Sequence, residues 1–539
     1  MRCLCFVLQL LLLQQCKPFR RPLTTTRSVT TASLAKAAAG SDTASTPEAN
    51  IIRELGSYEK LLSRKTPGLS TVSLSHSSVF LFPSARLDHG ILMGAISKVV
   101  QVHPLLRCGI RAMHASLYFV DYKRSADDLA VTAYSNVTTS DEDFEGEWRD
   151  AYTRGLNAAA FPEEGPLWKL THVVSPSESA FVFSMNHGID DQASVNIIME
   201  DILRFYSSEA RVVPKAFPPP IERAVAGDAT LTIQTLMWAA FQSLNSLLLP
   251  SMLPDSVARI KGPSRAAMAQ PEVRKTFCEF VVLSKDETSQ LVALCKANKL
   301  TVTNLLSALM LISTSNLIQD VAVGAQRRSL NLRFLLSVGL RGFGSNGKAE
   351  EVKKMDFTDK TVACASGAVD FVVPVFGSIV SKYCDAPGVI SRADLEGLLR
   401  LGRSCSRRSD EIINQWRLVP ESVRLFDLGF KLVDILQAVE IEARNPASLG
   451  RGYSCGVSNM GVVSLDGSSS QNVAAPVAGF YATSHGRNGV LAQLSCMTIN
   501  GRLNGCLQFT DPIVSGVKAA LFREKFEELL RRLLTISKM

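Results

Sequence analysis

The chain of 539 residues is 46% hydrophobic and 20% charged, an ordinary globular composition with length for two or three core-forming units. Its net charge of +8 is mild and no Lys/Arg block alternates with aromatics, which disfavours nucleic acid as a partner. The 12 cysteines are scattered, without a CxxC pair or a Cys/His cluster of zinc spacing. They read as reduced thiols rather than as a disulfide framework or a metal site.

Residues 1–45 read as a targeting segment. Arg2 precedes an apolar run from Cys3 to Leu13 that is too short to span a bilayer, and Lys17-Pro18-Phe19-Arg20-Arg21 leads into a Thr/Ser/Ala-rich tract. No acidic residue occurs before Asp42. The first part fits a signal-peptide core and the second a transit peptide. A bipartite presequence explains both halves, a mitochondrial one the second, so an organelle (mitochondrion or plastid) is the expected location.

After a polar linker, the first unit spans about 50–210. Ile51 to Leu62 reads as a helix, and Val72 to Phe82 as a strand. Asp88 to His103 repeats apolar residues at Leu92, Ile96, Val99 and Val100, a helix stopped by Pro104. Leu105 to Ile110 and Ser116 to Val120 read as strands. The acidic patch Asp141-Glu142-Asp143 opens a helix through Trp148 and Tyr152. Leu167 to Val174 and Ala180 to Met185 are strands joined by Ser175-Pro176-Ser177. The second of these breaks at Asn186-His187-Gly188, and Val195, Ile198, Met199, Ile202 and Phe205 then recur at helical spacing. A histidine therefore sits where a strand ends and a helix begins, with Asp191 four residues on, where the helix dipole favours a carboxylate.

Residues 211–275 read as a linker. Pro214 and Pro218-Pro219-Pro220 open it, and Ala229 to Pro254 contains no charge. Ile233, Met237, Phe241, Leu244 and Leu248 share one helical face, interrupted by polar residues, which argues against a transmembrane span. A helix packed between domains is one reading; an interfacial helix in peripheral contact with a membrane is the other. The second unit, 276–539, begins with a strand from Phe277 to Leu283. Ser284 and Glu287 form a capping-box pattern that opens a helix through Leu294. A more apolar helix runs from Thr301 to Leu317, and Leu335 to Leu340 is a strand ending at Arg341-Gly342. Leu491 to Ile499 and Arg502 to Phe509 flank Asn500-Gly501, a two-residue hairpin signal. A helix over about 515–535 closes the chain. The alternation of β and α elements predicts an α/β sandwich.

Three segments taken in order carry a resemblance: His103-Pro104-Leu105-Leu106-Arg107, Gly165-Pro166-Leu167-Trp168-Lys169-Leu170, and Asn186-His187-Gly188-Ile189-Asp190-Asp191-Gln192. They resemble the superfamily of condensation domains, chloramphenicol acetyltransferase and the acyl-CoA-dependent alcohol acyltransferases, whose motif is His-His-x-x-x-Asp-Gly. Arg53 to Lys60 and Pro218 to Glu222 look most like the alcohol O-acetyltransferase branch. The resemblance implies a two-lobed sandwich of mixed sheets flanked by helices, with an active-site tunnel between lobes. It also implies a monomer that binds no cofactor, takes acyl-CoA as co-substrate and acylates an alcohol, with His187 as general base. The family aspartate braces the loop through an arginine of the other lobe, which assigns those roles to Asp191 and Arg341. Gly456-Val457-Ser458-Asn459-Met460-Gly461 resembles the Ser-Asn-x-Gly strand end that faces the tunnel, making Ser458 and Asn459 candidates for the oxyanion or channel.

The chemistry asks for little more. The acceptor's proton must leave as its oxygen attacks the thioester, and neutral imidazole suits that task. Two residues depart from the motif: Asn186 replaces the first histidine, whose loss relatives tolerate better than that of the second, and Gln192 replaces a glycine. The alternatives are a condensation-type or lipid acyltransferase using a carrier-protein thioester, and a non-catalytic acyl-CoA-binding relative. No G-x-S-x-G elbow, P-loop or H-E-x-x-H is present. Gly342 to Gly347 reads as a flexible loop.

Overall fold

The computed structural model describes residues 50–536 apart from 64–73, 84–86, 114–115, 159–160, 226–230, 249–252, 321–325, 342, 344–359, 386–391, 416–417 and 466–473. The targeting segment and nearly all of the 342–347 loop lie outside these residues. Fourteen strands are present among them: β1 (Asn50–Glu54), β2 (Ser75–Pro83), β3 (Cys108–Met113), β4 (Ser116–Asp121), β5 (Tyr134–Thr138), β6 (Trp168–Val174), β7 (Glu178–Asn186), β8 (Lys275–Val282), β9 (Leu330–Gly339), β10 (Ser366–Val375), β11 (Arg451–Val463), β12 (Ala478–Thr483), β13 (Gly489–Ile499) and β14 (Arg502–Asp511).

They form three sheets. A small antiparallel sheet has the order β1-β4-β3, a five-stranded mixed sheet β12-β2-β7-β6-β5, and a six-stranded mixed sheet β10-β9-β11-β13-β14-β8. The five-stranded sheet is built from the first half of the chain except for β12, which crosses over and pairs antiparallel with β2, Phe480 opposite Val79. The two large sheets are further joined by the helix Phe144–Leu156. Its Trp148 lies 5.2 Å from Phe280 of β8 and 6.0 Å from Phe480 of β12, ring centre to ring centre. Gly155 in its last turn lets the helix approach β7, since a Cβ there would stand 1.9 Å from the Ser184 hydroxyl.

Local signals place most element ends. The Asp88 side chain accepts from Ile91 N and starts the helix His89–Val102. Both halves of the Ser284/Glu287 capping box are made, as the sequence predicts. Asn500 and Gly501 both have positive φ (49° and 74°), the mirror-image turn whose twist matches the β13–β14 hairpin. The apolar helix Val302–Gln319 is long enough to cross a membrane, but it lies buried in the core.

Three expectations fail for physical reasons. The predicted helix over 51–62 is instead β1 followed by the short helix Ser57–Ser63, because Asn50 to Glu54 completes an antiparallel ladder with β4. Residues 105–110 begin as one tight helical turn, Pro104–Arg107, before β3 starts. The helix Ile233–Leu248 turns Trp238 and Ala239 inward and leaves Ile233, Met237 and Phe241 exposed, so these members of its apolar face do not pack between domains as the first reading has it.

Where the linker meets the first unit, Glu222 is buried beside Glu59, which Arg53 grips with two 2.7 Å bonds. Burial, then the Glu59 charge, pushes the Glu222 carboxyl up to about 7. A carboxyl that binds its proton more tightly when folded loses stability as pH rises from the unfolded value of about 4.3 to about 7. Glu222→Gln should therefore raise stability by on the order of 2 kcal/mol at pH 8 and leave it unchanged near pH 4. Urea unfolding at the two pH values checks this.

Candidate active site

β7 runs between β2 and β6 with every residue from Ser179 to Asn186 buried, and it delivers a tight turn at its end. His187 N donates to Leu74 O (2.9 Å), Gly188 N to Asn186 Oδ1 (2.9 Å) and Ile189 N to Asn186 O (3.0 Å). Gly188 is needed for clearance, since a Cβ would fall 1.8 Å from the Ser63 hydroxyl. Asp191 then adopts an extended conformation and caps the helix Gln192–Ser207, its Oδ1 accepting from Ser194 N (2.9 Å).

His187 is buried, and its Nδ1 lies 3.0 Å from the carbonyl oxygen of Asp190. A carbonyl can only accept, so the proton is on Nδ1 and the Nε2 lone pair is free to take another. Asp191 points the other way. Its Oδ2 pairs with Arg341, just beyond β9, and accepts from Ala365 N (3.3 Å). The same arginine donates to Ser194 Oγ (2.9 Å), Thr361 O (3.1 Å) and Ala363 O (3.2 Å). The aspartate and arginine singled out in the sequence are thus joined in one buried knot, 150 residues apart in the chain.

Solved structures share this architecture. The trichothecene 15-O-acetyltransferase of Fusarium sporotrichioides aligns over 90% of this chain and 96% of its own at 12% identity, with a TM-score of 0.61. The condensation domain of the monacolin K polyketide synthase MokA aligns over 91% and 98% at 11% identity, TM-score 0.54. The chain shares the fold of these acetyltransferase and condensation-domain structures. The EpoB cyclization-docking bidomain of Sorangium cellulosum, at 15% identity and 98% coverage of both chains, gives 0.53. No family profile and no curated protein matches the sequence.

Both departures from the motif that the sequence resembles have structural explanations. Asn186 uses its side chain to hold the turn through Gly188 N. Gln192 is the first residue of the helix, with no positive φ, so the glycine's conformational freedom is not required there. Its amide nitrogen bonds Ser78 Oγ (3.1 Å) and Asn196 Oδ1 (2.8 Å).

On β11, the Ser458 carbonyl accepts from the Tyr481 hydroxyl (2.8 Å), and the Ser458 Oγ lies 2.9 Å from the same phenolic oxygen. The Tyr481 ring stands edge-on to His76, 6.2 Å away, and His76 is 5.6 Å from His187. Ser458 thus belongs to the same chain of contacts as His187. Asn459 does not enter it. Its Nδ2 donates to Thr303 Oγ1 (3.0 Å), and its Oδ1 accepts from Gly461 N (2.9 Å) to close a turn.

Sequence reasoning found one chemically placed histidine; the structure places three together. His76 on β2 donates to Asp190 Oδ2 (2.5 Å). His485, after β12, bonds Thr483 Oγ1 (2.9 Å), and burial, then the Arg451 charge, pushes its pKa down to about 3, so it is neutral. Burial acts to lower the His76 pKa as well, but the charge and hydrogen bond of Asp190 outweigh it and hold His76 above the ordinary histidine range. Burial likewise acts to raise Asp190, and His76 and His187 more than offset it. The proton between them therefore belongs to His76. His76, His187 and Asp190 offer ligand atoms within 4.8 Å of one another. The 2.5 Å contact is nonetheless shorter than the ~3.3 Å that separates two ligands of a tetrahedral zinc ion, and it fits a direct hydrogen bond better than a metal. The one local signal for this pair was a second carboxylate, Asp190, directly before Asp191.

Proposed function

We propose that this protein is an O-acyltransferase that moves an acyl group from acyl-CoA to an alcohol, with His187 as general base. The reading rests above all on the His187 tautomer: Nδ1–H is held by the Asp190 carbonyl and Nε2 is left to receive a proton. As the acceptor oxygen attacks the thioester carbon, its proton passes to His187 Nε2. The tetrahedral intermediate collapses, the C–S bond breaks, and the imidazolium returns the proton to the departing thiolate. The Ser458 hydroxyl, joined through Tyr481 and His76 to the contacts of His187, is the group we assign to the oxyanion. Asp191 and Arg341 support the loop. The Fusarium enzyme of the same fold acetylates a hydroxyl, by its name, and lends the acceptor class.

Neighbours named as condensation domains support a second reading in which the thioester is carried by a protein. The test is thiol release from acetyl- and longer acyl-CoAs with a panel of alcohols, run on the full chain. Release that depends on the acceptor supports the CoA reading. Release from carrier-bound thioesters alone would replace it with the second. Retained acyl-CoA binding without turnover of any donor would mark a non-catalytic relative.

A further inference from the structure

The Asp190 carboxylate is completely buried and lies between two imidazoles. Oδ2 holds His76 Nδ1 at 2.5 Å, while Oδ1 has no hydrogen-bond partner and stands 3.5 Å from His187 Nδ1. The residue's own carbonyl is the acceptor for that same Nδ1, at 3.0 Å. One residue therefore offers the catalytic ring two rival acceptors, the carbonyl at 3.0 Å and the carboxylate at the longer distance of 3.5 Å.

We propose that His76 is a positioning residue: by pairing with Asp190 it keeps that carboxylate off His187 and so fixes the tautomer and orientation of the base. This inference rests on the general-base reading of His187. An ionised carboxylate is very costly to bury unpaired. Without His76, it must either take a proton or swing Oδ1 onto His187 Nδ1, and both disturb the peptide whose carbonyl anchors the ring. His76 itself is rigidly placed, since β2 lies between β7 and β12 with His76 opposite Met185 and Thr483.

The other groups facing His76 agree with a charged ring. Asp191 adds a weaker negative field, itself committed to Arg341, and the buried amide oxygen of Gln192, otherwise without a hydrogen-bond partner, favours the cation. His187 and the edge of Tyr481 also face His76. Gln192, a departure from the family glycine, and His76 thus belong to one arrangement.

The test uses the full chain labelled with ¹⁵N-histidine at pH 8, together with His76→Phe, His76→Asn and Asp190→Asn. In the unmodified protein, His76 and His187 should each carry a proton on Nδ1, the first held by the Asp190 carboxylate and the second by the Asp190 carbonyl. Asp190→Asn should lower the pH at which His76 titrates. His76→Phe, which keeps a ring but loses the donor, should give His187 mixed or altered tautomers and lower kcat about 10- to 100-fold with little change in KM. His76→Asn keeps a donor for Asp190 and should recover most of that loss. A His76 without a proton on Nδ1, or an unchanged His187 spectrum in folded His76→Phe, would overturn the proposal. The spectra need no substrate, so they decide it even where acyl transfer is not found. Should His76→Phe fail to fold, the protonation of His76 with and without the Asp190 carboxylate still decides.

Discussion

His187→Ala should lower kcat and kcat/KM together by about 10²–10⁴, with little effect on acyl-CoA binding. A base that takes the acceptor's proton acts only as the transition state forms, so its loss removes no ground-state contact with the donor. The fold should tolerate the change, because the turn is held by backbone bonds from His187 N, Gly188 N and Ile189 N rather than by the imidazole. A useful contrast is His103→Asn. His103 is buried at the end of its helix and pairs with Asp201 at 2.8 Å, so its loss should cost stability without a comparable fall in kcat. Initial rates of thiol release and binding of labelled acyl-CoA separate the two quantities. Equal kcat in His187→Ala and the parent would remove His187 from the mechanism.

The parts of this site that were legible in the sequence are those fixed by short-range chemistry. The strand end at Asn186, the helix after Asp191 and the cap itself follow from apolar spacing and a carboxylate at a helix start. The capping box at Ser284 and the hairpin at Asn500-Gly501 are local in the same way. Arg341 was found through resemblance, since nothing near it in the chain says that its partner lies 150 residues back. His76 was not found at all. It sits in Ser75-His76-Ser77-Ser78, a polar stretch without a motif, and gains its role only because β2 and β7 pair with His76 opposite Met185. That is a matter of register, which no local pattern states. The misread first helix has a similar origin. Ile51, Ile52 and Leu55 suit either element, and the presence of β4 as a partner decides for a strand.

Arg341→Ala should be the most destabilising single change at the site, by about 3–5 kcal/mol, because it leaves the buried Asp191 carboxylate without its cation. The capping bonds from Ser194 to Asp191 Oδ1 would remain, but Oδ2 would keep only the 3.3 Å contact with Ala365 N. Arg341→Lys should fall between the two. It restores a charge, but a lysine cannot make the fan of bonds to Ser194, Thr361 and Ala363 that a planar guanidinium makes. Activity should fall as well, by about 10²-fold at temperatures where the variant is still folded, since Asp191 closes the turn that aims His187. The double change Arg341→Ala with Asp191→Asn should be less costly than the sum of the two single changes, because it removes both members of one interaction. Urea unfolding of the four variants measures this coupling. Strict additivity, or an Arg341→Ala protein as stable as the parent, would mean that the knot around Asp191 stands without its arginine, and the loop would then owe its shape to the turn at Gly188 alone.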